Sequence, residues 1–541
     1  MTRTTKLLAA LAATTFLVAP AMAAEVPEGV TLAEDQSFTY RVLDEHSSVD
    51  PQIVEDVSGS EIVRDLFEGL LNQSADGELV AGVATEWSPN EDNTEWTFTL
   101  RDDAQWSDGT PVTAGDFVYA WQRLVDPETA SPYAWFGELM SIENAAAIIA
   151  GEMEPSELGV EATDDHTLVV HLSAPLPYFA AMTTHASTFP SPSWVIEEHG
   201  DEWTRPENIV TNGAYVLTEH VPQERSVREK SDTYWDAENT VLETVTALVI
   251  NDENQALTRF LAGELDRTEV PAGQYPRLAE EYPDTAISFP RLCSYYYNFN
   301  LRENGPEALK DVNVRKALSY AIDRDVITEQ VLQGGQTAAY NFTPVSTANF
   351  TVPEIEYGQL TQAERDEMAV EMLAEAGYGP EGEPLELSIL YNTDESHRQL
   401  ATVISQKWEQ KLGVQTTLEN MEWNTFLDAR ENGDFDVSRG GWCGDYNEAS
   451  TFLDLMQSDS GYNDAKYANE EVDELLAEAK TMTDPSENYT RVEQIIAEEM
   501  PVIPTYHYAG VYMLNPAIQE WPVNNVEQNW YSKDLYRVAE E

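Results

Sequence analysis

Alternation of apolar and polar residues predicts β-strands at several places in the chain. Residues 94–100, TEWTFTL, place the tryptophan, the phenylalanine and the leucine on one side, which is the pattern of a half-buried strand. Residues 167–172, TLVVHL, and 384–392, PLELSILYN, predict two more strands. The stretch SDGTPV at 107–112 predicts a turn.

Other segments repeat their apolar residues at helical spacing. Thr113 and Asp116 resemble a capping box, with Asp in place of Glu, at the start of a helix over DFVYAWQRLV. A pair of helices is predicted within 311–333, where a glycine pair follows and ends the second helix. Residues 470–480, EEVDELLAEAK, predict an amphipathic acidic helix.

The order of these elements indicates the fold class. The strand at 384–392 precedes a helix predicted over 397–413, and alternation of this kind is typical of α/β units. No internal repeat and no low-complexity linker interrupts the sequence. We therefore expect domains that interleave along the chain, without a single flexible tether.

Residues 1–23 have the features of a secretory signal peptide. Arg3 and Lys6 precede an apolar run at 7–19, and Ala-Met-Ala at 21–23 supplies a cleavage site. The run is too short for a membrane anchor, and no cysteine lies near the cleavage point for lipid attachment. We expect cleavage after Ala23 and a secreted chain.

Acidic residues far outnumber basic residues in this sequence. The chain of 541 residues has 30 basic and 97 acidic side chains and a formal net charge of −67. Such a chain repels nucleic acid and anionic membranes, and it is long enough for two or three domains. The acidic residues are scattered over the whole length, which favours a salt-adapted, halophilic surface over a site that captures cations.

The two cysteines, Cys293 and Cys443, are 150 positions apart. In an oxidising compartment an isolated pair favours a disulfide over a metal site. No cysteine then remains for nucleophilic chemistry.

Motifs of enzymes and metal sites are missing from the sequence. There is no GxSxG, HExxH, P-loop or GxGxxG pattern, and the eight histidines show no metal-ligand spacing. Residues 72–80, NQSADGELV, look partly like a calcium loop but have valine at the twelfth position, which favours a plain turn. We predict a protein without cofactor or metal and without enzymatic activity.

Four stretches resemble the oligopeptide-binding receptors of bacterial ABC importers, the family 5 extracellular solute-binding proteins. They are SVDPQIVEDVSGSEIVRDLFEGLL (48–71), TFTLRDDAQWSDGTPVTAGDFVYAWQRLVDPETASPYAW (97–135), KDVNVRKALSYAIDRDVITEQVLQGGQ (310–336) and EWNTFLDARENGDFDVSRGGWCGDYNEASTFL (422–453). The first three are shared across the superfamily, including receptors for dipeptides, nickel, haem or sugars. The run RGGWCGDYNE is similar to the peptide-recognition loop of the oligopeptide branch.

The resemblance implies an α/β, two-lobed periplasmic-binding-protein fold (type II, cluster C) with an extra inserted domain. It implies lobe I at residues 24–67, 192–292 and 513–541, the inserted domain at 68–191, and lobe II at 293–512.

The resemblance also implies a peptide-binding site. Asp445 matches the position that pairs with the peptide's α-ammonium group. Glu55-Asp56-Val57 and Gly441-Trp442-Cys443 match the segments that flank the peptide as additional strands, and main-chain pairing of this kind gives affinity without reading sequence. The alternative for Asp445 is a turn cap before Tyr446.

Further matches concern the side-chain pockets and the peptide's carboxylate. Tyr133, Trp423 and Trp442 match aromatic walls of side-chain pockets, although Trp423 fits an ordinary core role equally well. The family positions that meet the carboxylate at different peptide lengths are matched by Arg430, Arg439 and His397. Residues 343–353 contain no lysine or arginine, although the family often has a lysine there.

The resemblance implies a monomeric periplasmic receptor that encloses short peptides and delivers them to a membrane-embedded ABC permease. A receptor for murein (cell-wall) peptides is an alternative on the same fold. From other classes, a secreted peptide hydrolase and a chaperone-like holdase stay open. The hydrolase would turn peptides over, whereas a receptor returns them intact.

Overall fold

The structure of the protein is a computed structural model, and it describes residue 24, residues 26–482 and residues 484–539. The predicted signal peptide, residues 1–23, lies outside the described residues. Within the described part of the chain, no helix combines the length and the apolar character that crossing a membrane requires.

The strands among the described residues are β1 (Ser37–Val42), β2 (Leu71–Gln73), β3 (Leu79–Ala81), β4 (Ala84–Pro89), β5 (Glu95–Leu100), β6 (Val160–Asp164), β7 (Thr167–His171), β8 (Tyr215–Val221), β9 (Arg225–Lys230), β10 (Thr244–Val249), β11 (Arg267–Glu269), β12 (Ala286–Phe299), β13 (Thr337–Ala338), β14 (Glu386–Asn392), β15 (Gln415–Met421), β16 (Val437–Cys443), β17 (Val502–Leu514), β18 (Ile518–Gln519) and β19 (Tyr536–Arg537). The α-helices are α1 (Val57–Leu66), α2 (Ala114–Val125), α3 (Ala134–Leu139), α4 (Ala145–Ile149), α5 (Phe179–Met182), α6 (Ser193–His199), α7 (Glu253–Leu261), α8 (Tyr275–Glu281), α9 (Val312–Tyr320), α10 (Arg324–Val326), α11 (Gln362–Glu375), α12 (Glu395–Leu412), α13 (Trp423–Asn432), α14 (Ser450–Leu453), α15 (Glu470–Ala479) and α16 (Ser486–Glu499).

One large mixed sheet runs through most of the protein. Its strand order is β15-β14-β16-β12-β17-β11-β1-β10-β9-β8, and β13 pairs with β17 beside this path. The long strands β12 and β17 belong to both halves, because β17 pairs with β11 on one side and β12 pairs with β16 on the other. Their mutual register shifts between Pro290 and Ser294, beside the lobe boundary that the resemblance implies.

Each half of the large sheet has its own apolar core. In one half Val314, Ile389 and Trp408 belong to a buried cluster under β14 and β16. In the other half Phe38 and Val245 belong to a separate cluster. Two cores on one sheet, joined by two shared strands, fit the expected two-lobed α/β fold. The domain boundaries remain a prediction.

A second, four-stranded sheet has the order β4-β5-β7-β6. Trp96, Phe98 and Leu100 on β5 are buried and share a core with Phe117 and Trp121 of α2, as their periodicity predicts. The predicted capping box of α2 is present. The calcium-like segment is a plain hairpin between β2 and β3, so the turn prediction is confirmed.

The predicted helix pair within 311–333 is confirmed only for its first member, α9. The second begins as the short α10 and continues as a π-helix over Ile327–Leu332, which ends where Gln333 takes the left-handed conformation. The hydroxyl of Thr328 donates to the carbonyl of Arg324 at 3.1 Å. The same hydroxyl-to-carbonyl bond occurs within the regular helices α7 and α12, at Thr258 and Thr402, so it does not by itself account for the wider turn.

The predicted disulfide between Cys293 and Cys443 is present, and it joins directly opposite residues of β12 and β16. Its Cα atoms are 4.0 Å apart, and it spans 150 positions of sequence. The bond therefore fastens the end of β16 to the strand that both halves share.

Candidate functional site

A cavity of about 430 Å³ lies between the two halves of the large sheet, and this volume is in the range of small-ligand sites. Its wall contains residues from both predicted lobes. Every predicted peptide-binding residue is on this wall, namely Glu55, Val57, Tyr133, His397, Trp423, Arg430, Arg439, Gly441, Trp442, Cys443 and Asp445.

Asp445 directs a buried carboxyl group to this cavity. Its side chain is 7 % exposed, and Oδ1 lies 3.4 Å from the hydroxyl of Tyr133 and 3.5 Å from Nε2 of His185. Its Oδ2 has no hydrogen-bond partner among the described residues. The backbone N–H of Asp445 donates to Thr451, while the side chain caps no turn in the described part of the chain. The alternative interpretation as a turn cap is therefore wrong.

No Lys or Arg among the described residues forms an ion pair with this carboxyl group. Burial raises the pKa of Asp445 well above its usual range, and burial also lowers the pKa of His185 to about 3. Nδ1 of His185 accepts the backbone N–H of Ser187 at 3.3 Å, so its proton lies on Nε2 and faces Asp445. Asp445 thus has neutral hydrogen-bond donors, and a ligand ammonium group would supply the missing positive charge.

One edge of β16 is open beside Asp445. The strand pairs with β12 along Val437–Cys443, but β14 pairs with it only at Val437 and Ser438. From Arg439 to Cys443 the backbone groups on the second edge have no strand partner among the described residues. An extended peptide can pair with such an edge through its own main chain.

The segment Glu55–Val57 has a different form from the strand that the resemblance implies. Asp56 is extended and caps α1 by accepting the N–H of Gly59, and Val57 is already the first helical residue. Glu55 accepts from the hydroxyl of Tyr462 at 3.0 Å. Only Glu55 and Asp56 can therefore align with a peptide as an extended segment.

Arg439 lies at the other end of the open edge. Its Nη2 donates to the hydroxyl of Tyr508 at 2.8 Å, and its guanidinium carbon lies 5.2 Å from the ring centre of Tyr295. Its Nε is buried without a hydrogen-bond partner, and no carboxylate among the described residues forms an ion pair with it. A buried guanidinium with free donor capacity suits a ligand carboxylate.

The other two predicted carboxylate partners are less available. Arg430 is paired with Asp464, with Nη2 2.7 Å from Oδ2. His397 is buried, and burial together with Arg439 lowers its pKa to about 3. In this arrangement His397 is a neutral imidazole that can contribute a hydrogen bond, and its role toward a ligand carboxylate stays a prediction.

Aromatic side chains cover one side of the cavity. The ring of Tyr462 lies 5.5 Å from Tyr133 and 5.1 Å from Trp442. Trp423 is half-buried and stacks on Phe426 at 5.8 Å, so it combines a core contact with a place on the cavity wall.

Sequence reasoning missed several residues of the wall, including His185, Tyr462 and Tyr508. His185 precedes Asp445 by 260 positions, and neither residue has a local motif that indicates the other. The aromatic run YHY at 506–508, which lies on β17, is a signal that the sequence offered for Tyr508.

The two glycines of β16 allow a matched test. A Cβ on Gly440 would lie 2.4 Å from the buried ring of Tyr296, whereas a Cβ on Gly441 would lie 2.7 Å from Nη2 of Arg439. Gly440→Ala should reduce the stability by about 1–3 kcal/mol, because the ring cannot move freely. Gly441→Ala should leave the stability unchanged and weaken peptide binding several-fold by displacing Arg439. Thermal denaturation and titration calorimetry separate the two effects, and the reverse pattern would contradict the assignment.

Comparison with known proteins identifies the family. Residues 78–464 match the model of "Bacterial extracellular solute-binding proteins, family 5 Middle". The chain is 46 % identical over 520 residues to the periplasmic murein peptide-binding protein MppA of Escherichia coli K12, covering 95 % of this chain and 96 % of MppA. It is 44 % identical over 523 residues to the periplasmic oligopeptide-binding protein OppA of the same organism, covering 96 % and 95 %.

Solved structures agree in fold and distinguish two arrangements. The crystal structure of Haemophilus influenzae OppA in complex with RPPGFSPFR is 39 % identical and gives a TM-score of 0.90, covering 94 % of this chain and all of that chain. The unliganded open form of MppA, at 44 % identity and with coverages of 95 % and 99 %, gives a TM-score of only 0.68. The two halves are therefore arranged more as in the peptide-bound relative, and the chain belongs to the family 5 bacterial extracellular solute-binding proteins.

Proposed function

We propose that this protein is a periplasmic receptor that encloses short peptides between its two lobes and delivers them to the permease of an ABC importer. The observation that carries this proposal is Asp445, a buried carboxyl group that faces the cavity without a cation of its own. All peptides with a free N-terminus present an ammonium group, so this partner accepts them regardless of side chains.

The arrangement of charges along β16 supports a peptide over a smaller ligand. Asp445 and Arg439 lie at opposite ends of the open edge, six positions apart. At about 3.3 Å per extended residue their backbones are separated by at most about 20 Å. A stretch of this length has room for roughly three to five extended residues with paired backbone.

The alternative ligand within the class is a murein peptide. The identities to MppA and OppA are 46 % and 44 %, a difference too small to choose between them. We infer the broader class, short peptides with a free N-terminus, because the site is built around the two peptide termini. Chemical identification of the bound ligand decides between a general oligopeptide and a murein peptide.

Among the described residues, the serine that forms a hydrogen bond with a histidine of the cavity wall is Ser187, and its position disfavours a hydrolase. Ser187 Oγ lies 2.8 Å from Nδ1 of His185, which in turn faces Asp445. Ser187 is fully buried and is not part of the wall. A nucleophile must reach the scissile carbonyl, and this hydroxyl cannot, so we infer a binding role for the group.

Ligands that co-purify with the protein test the proposed function. Protein isolated from the periplasm of its native host should release intact peptides on denaturation, detected by mass spectrometry. Added trialanine should be recovered uncleaved after prolonged incubation. Recovery of cleavage products, or of ligands without an amino terminus, would overturn the proposal.

Lobe closure should also depend on pH through Glu253. Ser396, in predicted lobe II, donates to both oxygens of Glu253 at 3.1 and 3.2 Å. Burial, and then the nearby Asp394, raise the pKa of Glu253 to about 8, although Arg41 opposes this. A carboxyl group with a raised pKa takes up a proton on closure, so closure is favoured at low pH and this gain disappears as pH rises through about 8.

Trialanine affinity should therefore increase roughly tenfold between pH 8 and pH 6.5. Titration calorimetry at several pH values measures it, and Glu253→Gln should flatten the dependence. A slope that survives in this variant would assign the effect to another group.

We infer a periplasmic location from the periplasmic relatives and propose that the receptor acts as a monomer. Salt adaptation stays a prediction, which melting temperatures measured over a range of KCl concentrations test: self-repulsion of the acidic surface should destabilise the fold at low salt.

A further inference from the structure

Glu45, His46 and His220 form a second group of polar side chains beside the cavity. Oε1 of Glu45 is 2.7 Å from Nε2 of His220 and 3.4 Å from Nδ1 of His46. Among the described residues, this is the one place where three such side chains bring their ligand atoms within 4.8 Å of one another. The sequence does not indicate this group, because 174 positions separate the two histidines.

The fold creates this juxtaposition at the edge of the large sheet. Glu45 and His46 follow β1, and His220 lies on β8, the last strand in the sheet order. The two imidazole rings are 5.0 Å apart and inclined at 37°. They are therefore not stacked face to face, and both present a nitrogen to the same carboxylate oxygen.

The distances are close to those of a tetrahedral metal site. Bonds of about 2.0–2.1 Å to nitrogen and oxygen require ligand atoms about 3.3 Å apart. The two measured separations from Glu45 Oε1 lie on either side of this value. The second oxygen of Glu45 accepts the backbone N–H of Gln223, and an outer hydrogen bond of this kind fixes the orientation of a ligand carboxylate.

We propose that Glu45, His46 and His220 bind a Zn²⁺ ion, with water as the fourth ligand. Two imidazoles and one carboxylate are a ligand set that Zn²⁺ accepts. The ion would fasten the loop after β1 to β8. Because Glu45 and its neighbour Asp44 belong to the cavity wall, this fastening would hold part of the peptide site in place.

Titration calorimetry with Zn²⁺, in a buffer that contains excess Mg²⁺, tests the site. The full mature protein is used after bound metal and affinity tags have been removed. We expect one ion per chain, and we expect His46→Asn and His220→Gln each to weaken binding by more than about tenfold, the loss that even outer-shell changes can produce. His220 is partly exposed, so its replacement should fold normally even if that of the buried His46 does not.

His171→Gln is the matched control. His171 forms an exposed pair with Glu95 at 3.3 Å but has no third ligand, so this variant should bind Zn²⁺ like the unmodified protein. X-ray absorption of the loaded protein should show two imidazole ligands. Full affinity in His220→Gln, or displacement of Zn²⁺ by trialanine, would place the ion elsewhere and overturn the proposal.

Discussion

Asp445→Asn should weaken the binding of trialanine by at least about a hundredfold, or about 2.7 kcal/mol. The neutral amide removes the negative charge that would face the ligand's ammonium group at a buried position. Breaking one side of a desolvated charge pair costs about 2–5 kcal/mol, because the other charge is left without a partner. Titration calorimetry at neutral pH measures the change.

The fold should not suffer from this substitution. In the absence of ligand the buried carboxyl group has an unpartnered oxygen and no counter-charge, so its removal costs the empty protein little. We expect an unchanged or slightly raised melting temperature. A strong loss of stability would show that Asp445 supports the structure and would contradict a role confined to the ligand.

A chemical change in the ligand and a control in the protein complete this test. N-acetyl-trialanine should bind the unmodified protein about as poorly as trialanine binds the variant, and the two losses should not add. Asp454→Asn is the control, because Asp454 is also buried with both carboxyl oxygens unpartnered but is not on the cavity wall. Trialanine affinity of the Asp445 variant equal to that of the unmodified protein would reject the ammonium role.

Local patterns predicted the regular elements because their causes are local. The alternation of β5 and the capping box of α2 reflect contacts within a few residues, and both are present. The π-helix at Ile327–Leu332 escaped prediction because apolar periodicity over so short a stretch does not distinguish a π-helix from an α-helix.

The candidate site was also predictable only in part. The resemblance identified Asp445 and Arg439 as site residues, but it could not give their protonation or their hydrogen-bond partners. These depend on residues far away in sequence, such as the neutral His185 beside Asp445. The sequence also could not show that Arg430, predicted as a partner of the ligand carboxylate, is already paired with Asp464.

The open edge of β16 connects the two charged ends of the site. The disulfide and the pairing with β12 hold this strand on one side, while the other side is left for a ligand. A peptide that pairs with the edge would therefore meet the carboxyl group of Asp445 and the guanidinium of Arg439 at a set spacing. We propose that closure is coupled to both termini, since only a ligand with both groups satisfies both side chains.

Arg439→Gln should weaken trialanine binding by roughly 10- to 100-fold, because a charge-assisted hydrogen bond contributes about 1.5–3 kcal/mol. Trialanine amide, which lacks the carboxylate, should bind the unmodified protein with a similar loss. In a double-mutant cycle by calorimetry, the amide should lose little further affinity when Arg439 is also replaced.

Arg365→Gln provides the control for the loss of a buried arginine as such. Arg365 is almost fully buried and donates to the carbonyls of Tyr357 and Leu360, but it is not on the cavity wall. Its replacement should lower the melting temperature without changing trialanine affinity.

Peptide length is limited by the same arginine. The carboxylate of a longer peptide would lie beyond Arg439 and would need another donor, and Arg430 is already paired with Asp464. If trialanine and its amide bind equally well, the carboxylate is not recognised at Arg439 and the length limit of three to five residues falls with it.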